Sequence, residues 1–317
     1  VTHASTPMGE QFELSASING ARQFAVVSQV GAALRRLSID DVELVQDYPA
    51  TIAAPSCAGV VLVPWPNRVA GGKWKNQGRE EQLLITEPKL NNAIHGLLRH
   101  HAYSRVASTD SSVTLAANIS PAPGYPFELA TTVHYQLLAE GLSVTHRLQN
   151  LGTDTAPVAI GAHPYLRLGE VPIAELELEV NAEVRLGLDS SMIPTGEAIP
   201  VAGTAFDYRE GQLLGQVALD DVWAQLIRDA DGGSRHYLRA ADGRHVELRM
   251  DANFGFLQAY TTASFPGTNG PVHAIALEPM TAPANAFNSG QGLHQLQSGQ
   301  VWEASWGIGY SSGGGAQ

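Results

Sequence analysis

The segment 175–186 reads ELELEVNAEVRL, and its alternation decides the fold. Leu176, Leu178, Val180, Ala182, Val184 and Leu186 point one way. Glu175, Glu177, Glu179, Asn181, Glu183 and Arg185 point the other. Glu and Leu are good helix formers, but a period of two held over the whole segment outweighs propensity. The segment therefore predicts one half-buried strand, straight or bent, with a solvent face. The same alternation recurs at 131–137, 142–148, 246–250 and 302–310. Turn signals such as SINGARQ, AEGLS, NLGTD and ADGRH separate these runs. GAALRRLSIDDVELV reads as strand–turn–strand, because β-branched residues interrupt its helical spacing. Together these features predict an all-β chain, a large antiparallel β-sandwich with little helix. No fixed-period repeat or low-complexity linker divides it, so a single domain is expected over 1–317.

The bulk numbers narrow the function. The chain has 317 residues, 44% hydrophobic and 16% charged, which is the composition of a globular protein. Its formal net charge is −12 and its pI about 5.3. That argues against nucleic acid and anionic membrane surfaces, both of which call for clustered Lys and Arg. A neutral small molecule fits better. Cys57 is the single cysteine, which excludes an internal disulfide and a Cys-rich zinc site. With no basic-then-apolar leader and no run of 18 apolar residues, a cytoplasmic location is expected.

Several segments place polar side chains at probable strand ends, where β domains build their sites. His163 follows the apolar run 160–162 and precedes Pro164; Glu278 follows 274–277 and precedes Pro279. A residue before proline is held extended, which fixes its side-chain direction. Taken alone, each has an ordinary reading: a satisfied core histidine, or a buried acid paired to arginine. Presented alike, they suggest an acid–base pair. Asn67 and Arg68 lie in a loop opened by Pro64 and Pro66 and closed by Gly71 and Gly72. His95 sits in NNAIHGLL, Asp220 and Asp221 in LDDVW, and Gln258 in FLQAYTT. Trp65 and Trp223 read as core. His100–His101 is a weak metal hint, since neighbours on a strand face opposite ways. No nucleophile elbow, phosphate loop or dinucleotide fingerprint occurs, so neither cofactor nor metal is expected.

In their order, NRVAGGKW, NAIHGL, GAHPYLRL, LDDVW, LQAYTT and ALEPMTAPANAFN resemble the landmark segments of the aldose 1-epimerase (galactose mutarotase-like) family. The resemblance covers about residues 10–311, leaving 1–9 and 312–317 as flexible tails. It implies a β-supersandwich and cofactor-free interconversion of the α and β anomers of a free aldohexose. It further implies Glu278 as the base at the C1 hydroxyl, His163 as the acid at the ring oxygen, and His95 as an assisting donor. Asn67, Arg68, Tyr165, Asp220 and Gln258 would hold sugar hydroxyls. Many galactose mutarotases carry a His after the binding Asp. Here that position is Asp221, so the pair 220–221 stays open, with Asp220 preferred. Two alternatives stand beside this reading: a hexose-6-phosphate 1-epimerase, hinted at by Arg99, and a non-catalytic sugar binder. A glycosidase would need a second well-set carboxylate. The expected partner is a small sugar, and the expected state a monomer or homodimer.

Overall fold

The computed structural model describes residues 6–313. Two large antiparallel sheets dominate. One has nine strands, in the order Ser104–Ser108, Ser112–Ile119, Leu129–Leu138, Gly141–Asn150, Val301–Ser311, His245–Met250, Ser234–Arg239, Glu177–Glu179 and Gln212–Leu213. The other runs from Pro194–Pro200 through Ala182–Leu188, Asp220–Leu226, Phe256–Gly267 and Gly270–Met280 to Gly161–Ala162 and Val61–Leu62; Tyr165–Leu166 also pairs with Gly270–Met280. A four-stranded sheet over 11–43 and three two-stranded ribbons, among them Arg68–Ala70 with Asn92–Ile94, are added to these. The only α-helix among the described residues is Ala286–Ser289, and no helix there is long and apolar enough to cross a membrane.

The two large sheets share one core. Leu142, Val144, Leu248 and Ile308 of the nine-stranded sheet lie in the same apolar cluster as Trp223, Leu257, Ile275 and Leu277 of the other. Period two explains why: alternate residues of each strand reach inward, and burial of that face supplies the driving force.

The strand expected over 175–186 is corrected to two strands in different sheets. Glu177–Glu179 pairs with Ser234–Arg239, and Ala182–Leu188 pairs with Asp220–Leu226. The crossing lies at Val180–Asn181. There the Asn181 amide donates to Glu179 Oε1 and to the Arg235 carbonyl, and its backbone N–H to His236 Nδ1. These bonds replace ladder bonds that a chain changing sheets must give up. Leu176, Leu178, Val180 and Ala182 enter the main core, while Val184 and Leu186 pack with Phe256 and Met280 on the far face of the eight-stranded sheet. The alternation is real, but it does not mark one face of one sheet.

The expected tail at 1–9 is also corrected. Met8 is 2% exposed, packs among Tyr48, Tyr165 and Phe265, and its carbonyl accepts from the Val30 N–H. Residues 1–5 and 314–317 lie outside the described residues.

The far face of the eight-stranded sheet is what positions the site. Ala274, Ala276 and Phe265 form an apolar patch at one end, and Phe256, Val222 and Met280 another. Glu278, Gln258 and Tyr260 share this face by parity and lie between the two patches.

Candidate active site

Register brings the two residues set before prolines together. Gly161 pairs with Met280 and Tyr165 with Ala276, which sets His163 opposite Glu278 across neighbouring strands. Their Nε2 and Oε1 atoms are 3.3 Å apart. On its other side Glu278 is paired with Gln258. Gln258 Nε2 donates to Asp220 Oδ1 at 2.6 Å, the diagonal neighbour on the next strand. The row His163–Glu278–Gln258–Asp220 thus crosses four adjacent segments of one sheet.

A second group closes over this row. Asn67 and His95 both adopt left-handed backbone, at φ 54° and 61°. They are bonded reciprocally: His95 N–H donates to the Asn67 carbonyl at 2.9 Å, and Asn67 N–H to His95 Nδ1 at 3.3 Å. That leaves the imidazole proton on Nε2. Such strain persists where surrounding structure over-determines it. Asn67 Nδ2 then reaches Gln258 Oε1 at 3.2 Å, tying the loop to the sheet. Arg68 lies 3.7 Å from Asp220. The loop that follows Gly270–Met280 returns to the strand Arg68–Ala70: Asn285, also left-handed, donates its N–H to the Arg68 carbonyl at 2.5 Å. The result is a cavity of about 430 Å³ lined by both groups.

Charge is unevenly placed within it. Glu278 is 3% and His163 5% exposed. Burial raises the Glu278 carboxyl well above the usual range; the Asp220 charge adds to this, and Arg68 opposes it. Burial likewise lowers the His163 imidazole to about 4 and pushes His95 well down. Asp220 is raised by burial against the pull of Arg68. Both members of the central pair are therefore driven toward their neutral forms, and the pair shares one proton.

Each expected site residue can now be placed. Glu278, His163, His95, Asn67, Arg68, Asp220 and Gln258 all line the cavity. Asp221 alternates to the other side of its strand and pairs with Arg185, so Asp220 is the aspartate that faces the cavity. Tyr165 is corrected. It is fully buried, stacks on His163 with ring centroids 5.2 Å apart, and packs on Phe265. It backs the histidine and does not reach the cavity. Glu87 was missed. It grips Arg68, with Nε–Oε2 at 2.9 Å and a second bond from NH2 to Oε1 at 3.1 Å. The sequence LLITEPKLNN carries the signal, since Glu87 too precedes a proline and comes shortly after an apolar run, with only Thr86 between. Among the described residues no three His, Cys, Asp or Glu side chains converge as a metal site requires.

The family model for aldose 1-epimerase matches residues 16–308. The chain belongs to the aldose 1-epimerase family. It is 33% identical over 289 residues to the uncharacterised protein YihR of Escherichia coli, covering 87% of this chain and 86% of that one. It is 36% identical to human galactose mutarotase over 166 residues, 50% of this chain and 47% of that protein. Among solved structures, an aldose epimerase homologue from C. elegans superposes with a TM-score of 0.82 at 18% identity, covering 95% of this chain and 99% of that one. A galactose 1-epimerase from Lactobacillus acidophilus gives 0.76 at 19%, covering 96% and 99%. These structural matches establish the galactose mutarotase-like β-sandwich.

Proposed function

We propose that this aldose 1-epimerase family member interconverts the α and β anomers of a free aldohexose by acid–base ring opening and closure. The observation that carries the reading is the buried pair His163–Glu278, 3.3 Å apart and both lining one cavity. The two oxygens that must exchange a proton, O1 and the ring oxygen, sit on one carbon. A base and an acid side by side match them.

In opening, the Glu278 carboxylate takes the O1 proton. The O–H electrons become the C1=O bond, the bond from C1 to the ring oxygen breaks, and that oxygen takes the proton of His163. Rotation about C1–C2 presents the other aldehyde face. In closing, neutral His163 takes back the hydroxyl proton while the Glu278 carboxyl protonates the carbonyl oxygen. The neutral pair favoured by burial is thus the state that closes the ring, and the ion pair, one proton hop away, is the state that opens it. His95 Nε2–H is a further donor near the ring oxygen. Asn67, Arg68, Asp220 and Gln258, already bonded to one another, hold sugar hydroxyls with little reorganisation.

The test is polarimetry on freshly dissolved α-glucose and α-galactose. Equilibration faster than the buffer control is expected, and Glu278→Gln should remove the excess rate while the sugar still binds. No acceleration of any aldose sinks the enzyme reading and leaves a sugar binder. A second reading, an anionic sugar such as a hexose 6-phosphate, draws on Arg99. It lines the same cavity and makes no ion pair among the described residues. A KM for glucose 6-phosphate well below that for glucose would favour it.

A further inference from the structure

We infer that Glu87, backed by Asn92, is the positioning residue that sets how Arg68 is presented to the sugar. The inference rests on the mutarotase reading above. Among the described residues Arg68 is the one cation within ion-pair distance of the cavity's Asp220, and it stands in an interior where its side chain is 11% exposed. A free arginine there would have many rotamers, and fixing one costs entropy at each binding event. Glu87 removes that freedom. Its two oxygens take Nε and NH2 in a fork-to-fork contact at 2.9 and 3.1 Å, the arrangement that gives an arginine one orientation.

Glu87 is itself held. Its Oε2 accepts from Asn92 Nδ2 at 3.1 Å, and Asn92 also donates to the Ser191 carbonyl at 3.0 Å. Asn92 is buried. The backbones of Glu87 and Asn92 are bonded in both directions, at 2.9 and 3.2 Å, which closes the turn 87–92. Asn92 opens the strand Asn92–Ile94, which pairs directly with Arg68–Ala70. The carboxylate, its backing amide and the arginine they aim therefore belong to one closed unit. A surface ion pair has no such backing and contributes little.

The charge of Glu87 has a second effect. Glu278 is faced by His163, Asp220, Arg68, the Cys57 thiol and the Tyr165 hydroxyl. Of these only Arg68 is a fixed cation, and it favours the Glu278 carboxylate. Glu87 offsets part of that pull. Without its charge, Glu278 should give up its proton at lower pH.

The experiment measures kcat, KM and the pH profile of mutarotation for wild type, Glu87→Gln and Glu87→Asp. Glu87→Gln should raise KM about tenfold with kcat changed less than about threefold. Its alkaline limb should move to lower pH. Glu87→Asp keeps the charge, so it should raise KM while leaving the limb in place. Wild-type KM and limb in Glu87→Gln would overturn the inference and leave the mutarotase reading standing. So would a joint fall of kcat and thermal stability in both variants with an unmoved limb, which marks a purely structural role. A wild-type protein that accelerates no aldose would overturn both.

Discussion

Replacing Glu278 by Gln should cost activity and raise stability, and the stability gain should grow with pH. In the unfolded chain the carboxyl titrates near its ordinary value of 4.5; in the fold, burial and Asp220 raise it well above that. Above pH 4.5 the folded carboxyl therefore keeps a proton that the unfolded one has lost. The unfolded state binds fewer protons there, so wild-type stability is fully present below 4.5 and falls as pH rises toward the folded pKa. The slope is about 1.4 kcal/mol per pH unit for one group. Glutamine has nearly the same shape and does not titrate. The stability difference, variant minus wild type, should thus climb by about 1.4 kcal/mol between about pH 5 and 6, and again to 7 while the folded group stays protonated. Urea denaturation of both proteins at those three values reads it. Catalysis should fall about 10²–10⁴-fold, the usual worth of a positioned acid or base. A gap that does not change with pH, or a variant less stable throughout, would refute the reasoning. It would mean that Glu278 rests ionised and fully compensated by a charged His163.

Other expectations follow from the same geometry. The pH dependence of kcat/KM should be bell-shaped, because in the proposed mechanism the pair works only with one proton. Below the acid limb, set by His163 at about 4, no base remains; above the alkaline limb, well over the ordinary glutamate value, no acid does. A profile flat across both limbs would exclude the pair. Gly96→Ala should cost about 2–5 kcal/mol in denaturant titrations. Gly96 is at φ +69°, and an added Cβ would stand 2.0 Å from the Val63 carbonyl oxygen. A loss under about 1 kcal/mol would show that the loop yields freely. Trp306→Phe should cost about 1–3 kcal/mol by stranding the buried His146 Nε2, which accepts from Trp306 Nε1 at 2.9 Å. Adding His146→Leu should recover much of that loss, since its Nδ1 already lacks a partner among the described residues. Strict additivity of the two changes would contradict the coupling.

Much of this architecture is legible in the sequence because both the strands and the site obey local rules. Period two marks which residues reach inward, and proline fixes the residue before it, so His163 and Glu278 stand out from their local setting, an apolar run before and a proline after. What fails is whatever depends on a neighbouring strand. The crossing at Val180–Asn181 keeps the alternation unbroken, so no pattern announces that the chain changes sheets there. Asp220 and Asp221 face opposite ways in any strand, but only the register with Tyr260 and Gln258 tells which way is the cavity. Tyr165 shares a face with His163, yet it is fully buried against Phe265 while the histidine lines the cavity, and no local signal marks where a cavity stops. Glu87 shows the opposite failure: its pattern was visible, but nothing nearby in sequence pointed to Arg68 as its partner.

The row His163–Glu278–Gln258–Asp220 also bears on how the molecule forms. Asn67 and Gln258, joined by one hydrogen bond, are 191 positions apart, and Arg68 meets the Asn285 loop across a similar span. Contacts of such separation form late, after shorter loops have closed. A refolding chain should therefore regain its strand signal before it regains turnover. On the proposed function, the delay between the two would time the docking of residues 67–95 onto the sheet, making anomer exchange a clock for that step of assembly.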